Sequence, residues 1–560
     1  MKKEIEQNKG ITLISLIITI VVMLILVAVS VNVIIKSNLL GIADKAVNKY
    51  KTAAEEESNF GGLVIDGVKY ETIEDYAKGG AAKIGNVLYP TLQEAINNVP
   101  ADNTQKTIVL LRNIYENTNI PENKNIILDL DNYTIKCDVN SKPVIETNGK
   151  VTISNGKVTG EGLGEKKATI KVNQSGELTI INSDIEGSAE AWEAIELYGK
   201  LNMKSGKIES KMGNAICTYK GYSPSILIEN GTLTSDSYTA IAIVSGTFVM
   251  EEGEISNNSN KYVAMSVRAD GEAIIRGGRV SSGSNPVYNY GKLTIEGGEF
   301  KCTGNSLTMV VEANSETIIK GGKIVSEKNI VIWNKGGKLT IDGGEISGKS
   351  SGNHPTIGIM ENSETIINGG TITAENYVAV YNRNNANLTI NGGIITGKNN
   401  TVVVNQGNLQ MESGTIEYTG EVKEITSDSY ARALSNNNGG TIEINAGTIK
   451  SSAIALNEKD GTVSINGGEI QGKGKTIEIT GGTLNINNGT IESTEFSGGT
   501  SMALSMSNAC IVNFKGGTLK TIDSMSLGAG STFNHYGGTI TKTGTTGDNF
   551  TGEGTYNDNR

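Results

Sequence analysis

The stretch PVYNYGKLTIEGGEFKC, Pro286 to Cys302, carries the pattern on which the fold turns. It divides into PVYNYG, KLTIEG and GEFKC, and in each piece apolar residues alternate with polar ones. Alternation is the period of a β-strand, so Leu293 and Ile295 are expected to point inward and Thr294 outward. None of the pieces is long enough to be stable alone. The last piece recurs along the chain in related forms, among them NGKVTG, SGKIES, NGTLTS, GGRVSS, GGKIVS, GGEISG, GGTITA, AGTIKS and GGTLKT, mostly 20 to 28 residues apart. A period of that size marks a solenoid, in which each repeat buries its apolar face against its neighbours. Three short strands per repeat make a mainly β protein, a parallel β-helix. About sixteen turns at roughly 4.8 Å each give a rod near 80 Å long.

The register of the turns is also written in the sequence. Successive repeats carry EEGE (251–254), RGGR (276–279), EGGE (296–299), KGGK (320–323) and DGGE (342–345), so charge changes sign from one turn to the next. Stacked in register, Glu251, Arg276, Glu296, Lys320 and Asp342 form one column, and Glu254, Arg279, Glu299, Lys323 and Glu345 a second. Opposite charges attract across strands and like charges repel, which selects this register over its neighbours. Further along, the first column becomes mostly Asn, at Asn368, Asn391, Asn445, Asn466 and Asn487, where stacked amides can bond along the column.

An open solenoid end exposes unpaired strand groups. The segment LYPTLQEAINNVP, Leu88 to Pro100, puts Leu92, Ala95, Ile96 and Val99 on one helical face and is expected to plug the core. The stretch that follows, KTIVLLRNIYENTNIPENKNIILDLDNYTIKC, resembles the first turns of β-helix surface proteins from Gram-positive bacteria, a resemblance covering most of residues 84–545. It implies a right-handed coil and specifies fold better than activity.

The chain begins MKKEIEQNKG, and residues 11–35 then run without a charge. An apolar run of that length spans a bilayer as a helix, and the leader, weakly positive, stays cytoplasmic. The sequence KGITLISLIITIVVML, Lys9 to Leu24, closely resembles the processing site of type IV prepilins. That resemblance, over roughly residues 1–58, implies that a prepilin peptidase cuts after Gly10 and that Ile11 becomes the methylated amino terminus. The fifth mature position, usually Glu in that family, is Ser15 here, which puts the mode of assembly in doubt. The expected organisation is a leader (1–10), a long apolar filament helix (11–60), a linker (61–87), a capping helix with the first turns (88–150), the repeats (151–545) and a loose tail (546–560).

A formal charge of −11 repels phosphate backbones, which excludes nucleic acid as a partner. Cys137, Cys217, Cys302 and Cys510 are far apart and read as isolated side chains, with a disulfide between distant turns as the alternative. Two histidines, His354 and His535, make a zinc site unexpected, and no cofactor or metal is expected. Glycan cleavage needs acids converging on one atom. Asp129 and Asp131 instead read as solvated side chains, and the charged columns as ladders, so the protein is expected not to be an enzyme.

Aligning the first strand of each turn places Tyr198, Tyr219, Arg268, Tyr290, Trp333 and Tyr381 in one outward column, with Val244, Glu312, Met360 and Val404 between them. Exposed aromatics on a rigid surface suit binding, although a stripe that only stabilises adjacent turns has the same appearance. The functional expectation is a pilin-like cell-surface protein, single-pass with its leader cytoplasmic, displaying a β-helix for adhesion. Its expected partners are the membrane, prepilin peptidase, other pilin-like subunits, and host or cell-wall glycans. The alternatives are a β-helix polysaccharide lyase or hydrolase and a minor pseudopilin of a secretion or DNA-uptake system.

Overall fold

The computed structural model describes residues 79–560 except 165–166, 191, 351, 423–430, 498 and 545–546, together with the strands Leu63–Ile65 and Val68–Tyr70. The chain divides into two compact units, Met1–Gly80 and Ala81–Arg560. In the first, Leu63–Ile65 pairs antiparallel with Val68–Tyr70, with Leu63 opposite Tyr70.

The second unit is a parallel β-solenoid of about 19 turns. Its strands stack into three sheets. Sheet I begins with Thr118–Ile120, Ile145–Thr147 and Ile170–Val172 and ends with Phe550–Gly552. Sheet II begins with Gln105–Leu110 and Asn125–Asp129 and ends with Thr555–Asp558. Sheet III runs from Ile114–Tyr115 and Thr134–Lys136 to Thr539–Lys542. In the deciding stretch, Val287–Asn289 lies in sheet I, Lys292–Ile295 in sheet II and Glu299–Cys302 in sheet III. Leu293 and Ile295 are buried and Thr294 is half-buried on the outer side, as their alternation requires.

Stacking turns each inward position into a column. Ile295, Ile319, Ile341, Ile367 and Ile390 follow one another in register, all of them fully buried. Each such side chain contributes roughly 1.5–3 kcal/mol relative to exposure, so the core is a sum of nearly identical layers. The paired glycines between sheets II and III have a steric cause. A Cβ on Gly297 would meet the Arg276 carbonyl oxygen of the preceding turn at 2.3 Å, and Gly298 sits at φ +88. The first position forbids a side chain by contact and the second by conformation.

The charged columns stack as their register demands. Arg276 bridges Glu251 and Glu296, the latter at 3.2 Å, and Lys320 reaches Glu296 at 3.2 Å. In the second column Arg279 lies 3.9 Å from Glu299, and Lys323 lies 3.2 Å from Glu345. The amide column continues the first: Asn368 donates to Asp342, Asn391 to Asn368, Asn466 to Asn445 and Asn487 to Asn466, at 2.7–2.8 Å.

The N-terminal end is closed by helix α1, Leu92–Asn98, which buries Leu92, Ala95 and Ile96. Thr91 caps it, its hydroxyl accepting from the Glu94 amide at 3.1 Å, while the Glu116 carboxylate accepts from the amides of Leu92 and Gln93. At the other end Lys124, itself buried, donates to the carbonyls of Ile96, Asn97 and Val99 at 2.6–2.8 Å. Backbone groups left unpaired at both ends of a short helix thereby gain partners.

The expected architecture is corrected in three places. The solenoid has about 19 turns rather than sixteen, because the first turns and the last one lack the small-residue phrase used to count them. The one helix among the described residues is the seven-residue cap, and no helix there is long and apolar enough to cross a membrane. The expected long apolar helix over residues 11–60 is not seen among the described residues, outside which that stretch lies. The tail expected to be loose instead forms the final turn, Phe550–Gly552 on Met525–Leu527 and Thr555–Asp558 on Thr532–His535. Within the expected linker, Ala82–Ile84 pairs antiparallel with Val87–Tyr89 and with Leu110 of the first sheet II strand.

Candidate functional site

The outward face of sheet I is where the rod departs most from its own repeat. Leu197 pairs with Thr218, so Tyr198 and Tyr219 follow at matching positions one turn apart. Their rings stack with centroids 4.9 Å apart and an interplanar angle of 19°. Tyr222, from the turn leading out of the second strand, meets Tyr198 edge-on at 4.6 Å and 71°. Three phenols thus form an aromatic corner, with the Lys171 ammonium 5.6 Å from the Tyr198 ring centre.

The expected single aromatic column is in fact two. Arg268 and Tyr290 do continue the line of Tyr219 and Val244, and the Arg268 guanidinium lies 4.9 Å from the Tyr290 ring centre. Trp333, however, pairs with Val310 and so with Tyr288, and Tyr381 follows through Gly358. Trp333 and Tyr381 therefore stand two residues away, in the neighbouring outward column, with Val404. The register is set by an inward residue between the two columns: Asn289, Asn334, Asn382, Asn405 and Asn436 are all fully buried. In that register Asn334 falls on the Asn289 position, so Lys335 lies on the Tyr290 position and Trp333 on the Tyr288 position. Each displaced ring keeps its own cation, Lys335 over Trp333 at 5.8 Å and Arg383 over Tyr381 at 5.2 Å. Gly10 and Ile11, the expected processing pair, lie outside the described residues.

Beneath the corner, Glu196 accepts a 2.5 Å hydrogen bond from the Tyr198 hydroxyl. Glu193, three residues back and 7% exposed, has its carboxyl pushed up to about 7, first by burial and then by the charge of Glu196. Burial likewise raises the Tyr198 phenol and pushes the Cys217 thiol up to about 12. All four cysteines are free and buried. Asp129 accepts from the Asp131 amide at 3.2 Å and from Asn155 at 3.1 Å, a local turn arrangement rather than a convergent acid pair.

Three open clefts border this face along the corner between sheets I and II. The first, about 520 Å³, is walled by Tyr198 and Tyr222 with Asn148, Asn173, Gln174 and Ser175. The next, about 610 Å³, shares Tyr222 with it, and the last, about 480 Å³, shares Ala269 and Lys292 with the second. Sequence reasoning found Tyr198 and Tyr290 but missed Tyr222, Tyr288 and the clefts. Tyr288 was legible as the outward neighbour of Tyr290 on the same strand, whereas Tyr222 comes from a turn that has no counterpart in the repeat. Along the opposite border of the sheet, Trp192, Met212 and Tyr238 are exposed, and Tyr238 packs on Tyr262 at 4.5 Å. Comparison with family models, with curated proteins and with solved structures finds no match to this chain.

Proposed function

We propose that this chain is a non-enzymatic cell-surface β-solenoid that binds polysaccharide through the aromatic corner of sheet I. In this reading the uncharged stretch 11–35 holds the protein at the membrane, processing occurs between Gly10 and Ile11, and other pilin-like subunits are its neighbours. The observation that carries the binding reading is the edge-on pair Tyr198 and Tyr222 walling a cleft otherwise lined by side-chain amides, a hydroxyl and the Lys171 ammonium. Aromatic faces cover the apolar faces of sugar rings, and side-chain amides serve both donors and acceptors of sugar hydroxyls. Affinity electrophoresis in gels containing cell-wall or host glycans tests it. Retardation of the wild type that is lost in Tyr198→Ala and Tyr222→Ala supports the reading, and equal mobility of all three on every glycan removes it. Mass spectrometry of the native amino terminus tests the processing arm: a chain starting at Ile11 supports it, and one starting at Met1 does not.

A second reading is favoured by one observation, the buried Glu193 carboxyl beside Glu196 at the foot of the same corner. A carboxyl held near 7 is suited to proton transfer in glycan cleavage. Release of reducing ends or unsaturated products by the purified protein, abolished in Glu193→Gln, would select this reading over pure binding.

A further inference from the structure

The three clefts are successive parts of one groove, since each shares residues with the next. The groove follows the turn between sheets I and II from Asn148, beside Lys150, to Glu364, and the strand register places Lys150 and Glu364 nine turns apart. At about 4.8 Å per turn its floor is some 43 Å long and runs parallel to the solenoid axis. Its charges cancel. Lys171, Lys220, Lys292 and Lys338 line it against Asp270, Glu272, Glu316 and Glu364. From Glu272 onward the signs alternate turn by turn in register, Glu272, Lys292, Glu316, Lys338, Glu364. A polyanion passing along such a row meets a repelling carboxylate at every second turn and gains no net field. Part of the lining is glycine, including Gly221, Gly246, Gly271 and Gly291, which carry no side chain into the groove. That absence of side chains is enforced: a Cβ on Gly246 would lie 2.2 Å from the Pro224 carbonyl oxygen, and one on Gly291 2.1 Å from that of Arg268.

We propose that the ligand is an uncharged linear polysaccharide lying along the solenoid axis in this groove, engaging the Tyr198–Tyr222 corner at one end and several further turns beyond it. The proposal rests on the glycan-binding reading above and adds the ligand's charge class, orientation and minimum extent. A short oligosaccharide fills the corner alone, whereas a long chain gains contacts turn by turn.

The test uses the full chain and calorimetric titration with neutral xylo-, manno- and gluco-oligosaccharides from disaccharide to polymer, with polygalacturonate as the charged comparison. At least one neutral series is expected to bind more tightly with each added unit until the groove is filled, with little dependence on salt. Ala269, exposed and common to two of the clefts, offers a plug. Ala269→Trp is expected to weaken the polymer by about tenfold or more relative to its effect on the short oligosaccharide held at the corner. An unchanged thermal midpoint in Ala269→Trp shows that the plug acts on the groove and not on folding. Short oligosaccharides that bind as tightly as the polymer would overturn this proposal while leaving the corner as a binding site. Polygalacturonate binding more tightly than every neutral chain, with steep weakening in salt, would also overturn it. Failure of every probe to bind would remove the glycan reading itself.

Discussion

Asn436 donates its side-chain amide to the fully buried carboxyl of Glu458 at 2.7 Å, ending an internal chain of amides in which Asn382 donates to Asn405 and Asn405 to Asn436 at 2.7–2.8 Å. The other Glu458 oxygen accepts from the Gly461 amide at 2.5 Å. Burial nevertheless dominates, and the Glu458 carboxyl is pushed up to about 7. Its folded value lies above the ordinary 4.5, so the folded chain holds a proton that the unfolded chain has released. Its contribution is fully present below about pH 4.5 and is lost as pH rises through 7. A shift of this size corresponds to roughly 3 kcal/mol, read as an order of magnitude. Glu193 behaves in the same direction. The thermal midpoint is expected to fall between pH 5 and pH 8, with each of Glu458→Gln and Glu193→Gln removing part of that slope and the double variant removing most of it. A wild-type midpoint that is flat over this range would show that neither carboxyl is buried as described.

Asn405 holds its neighbours on both sides and also donates to the carbonyls of Gly407 and Thr441 at 3.0 Å. Its amide is an internal clamp on the turn between sheets I and II. Asn405→Ala leaves several buried polar groups without partners and is expected to cost about 2–4 kcal/mol, seen as a lower denaturant midpoint. Asn391→Ala, in the exposed amide column, is expected to change the midpoint little.

The exposed ladder selects register more than it stabilises. Glu296 lies between Arg276 and Lys320, so Glu296→Lys stacks three cations on successive turns. A fall of a few degrees in melting temperature at low ionic strength, recovered in high salt, is the expected outcome. Glu296→Gln is expected to be nearly silent. A large loss insensitive to salt would mean that the column does more than set register.

The last turns are packed by a cluster of aromatic side chains. Phe533 is fully buried among Phe514, Phe550 and Tyr556, with ring centres 6.2, 4.9 and 5.9 Å away. Phe533→Ala is expected to cost roughly 3–5 kcal/mol and to speed amide exchange in Phe550–Gly552 and Thr555–Asp558 well before the N-terminal turns respond. His535 in the same cluster contacts the Tyr556 hydroxyl at 2.9 Å and is held below its ordinary pKa by burial first. Its stabilising effect is therefore present above about pH 6.5 and lost as pH falls, so acidification is expected to loosen this end first.

Where one turn resembles the next, position in the fold could be read directly. Leu293 and Ile295 pointing inward, Glu296 between Arg276 and Lys320, and the cap formed by Leu92, Ala95 and Ile96 all follow from local alternation plus stacking. The aromatic residues could not be placed the same way. Trp333 and Tyr381 fall in a different column from Tyr290 because the buried Asn after each of them takes the Asn289 position, which puts both rings on the Tyr288 position, and burial of that Asn is a property of the assembled coil. Glu193 and Glu458 are ordinary acids in sequence, and only their surroundings raise their pKa values.

The amino-acid order alone determined that the chain coils, which faces alternate, and that charges stack with opposite sign, because each of these depends on contacts between a residue and its equivalent one repeat away. Only the tertiary structure decided how many turns form, that the tail adds one more turn to the coil, and that Tyr198, Tyr219 and Tyr222 share a corner at the head of a groove. Those outcomes depend on the irregular turns between strands, whose paths are set by packing against the whole rod and not by the repeat.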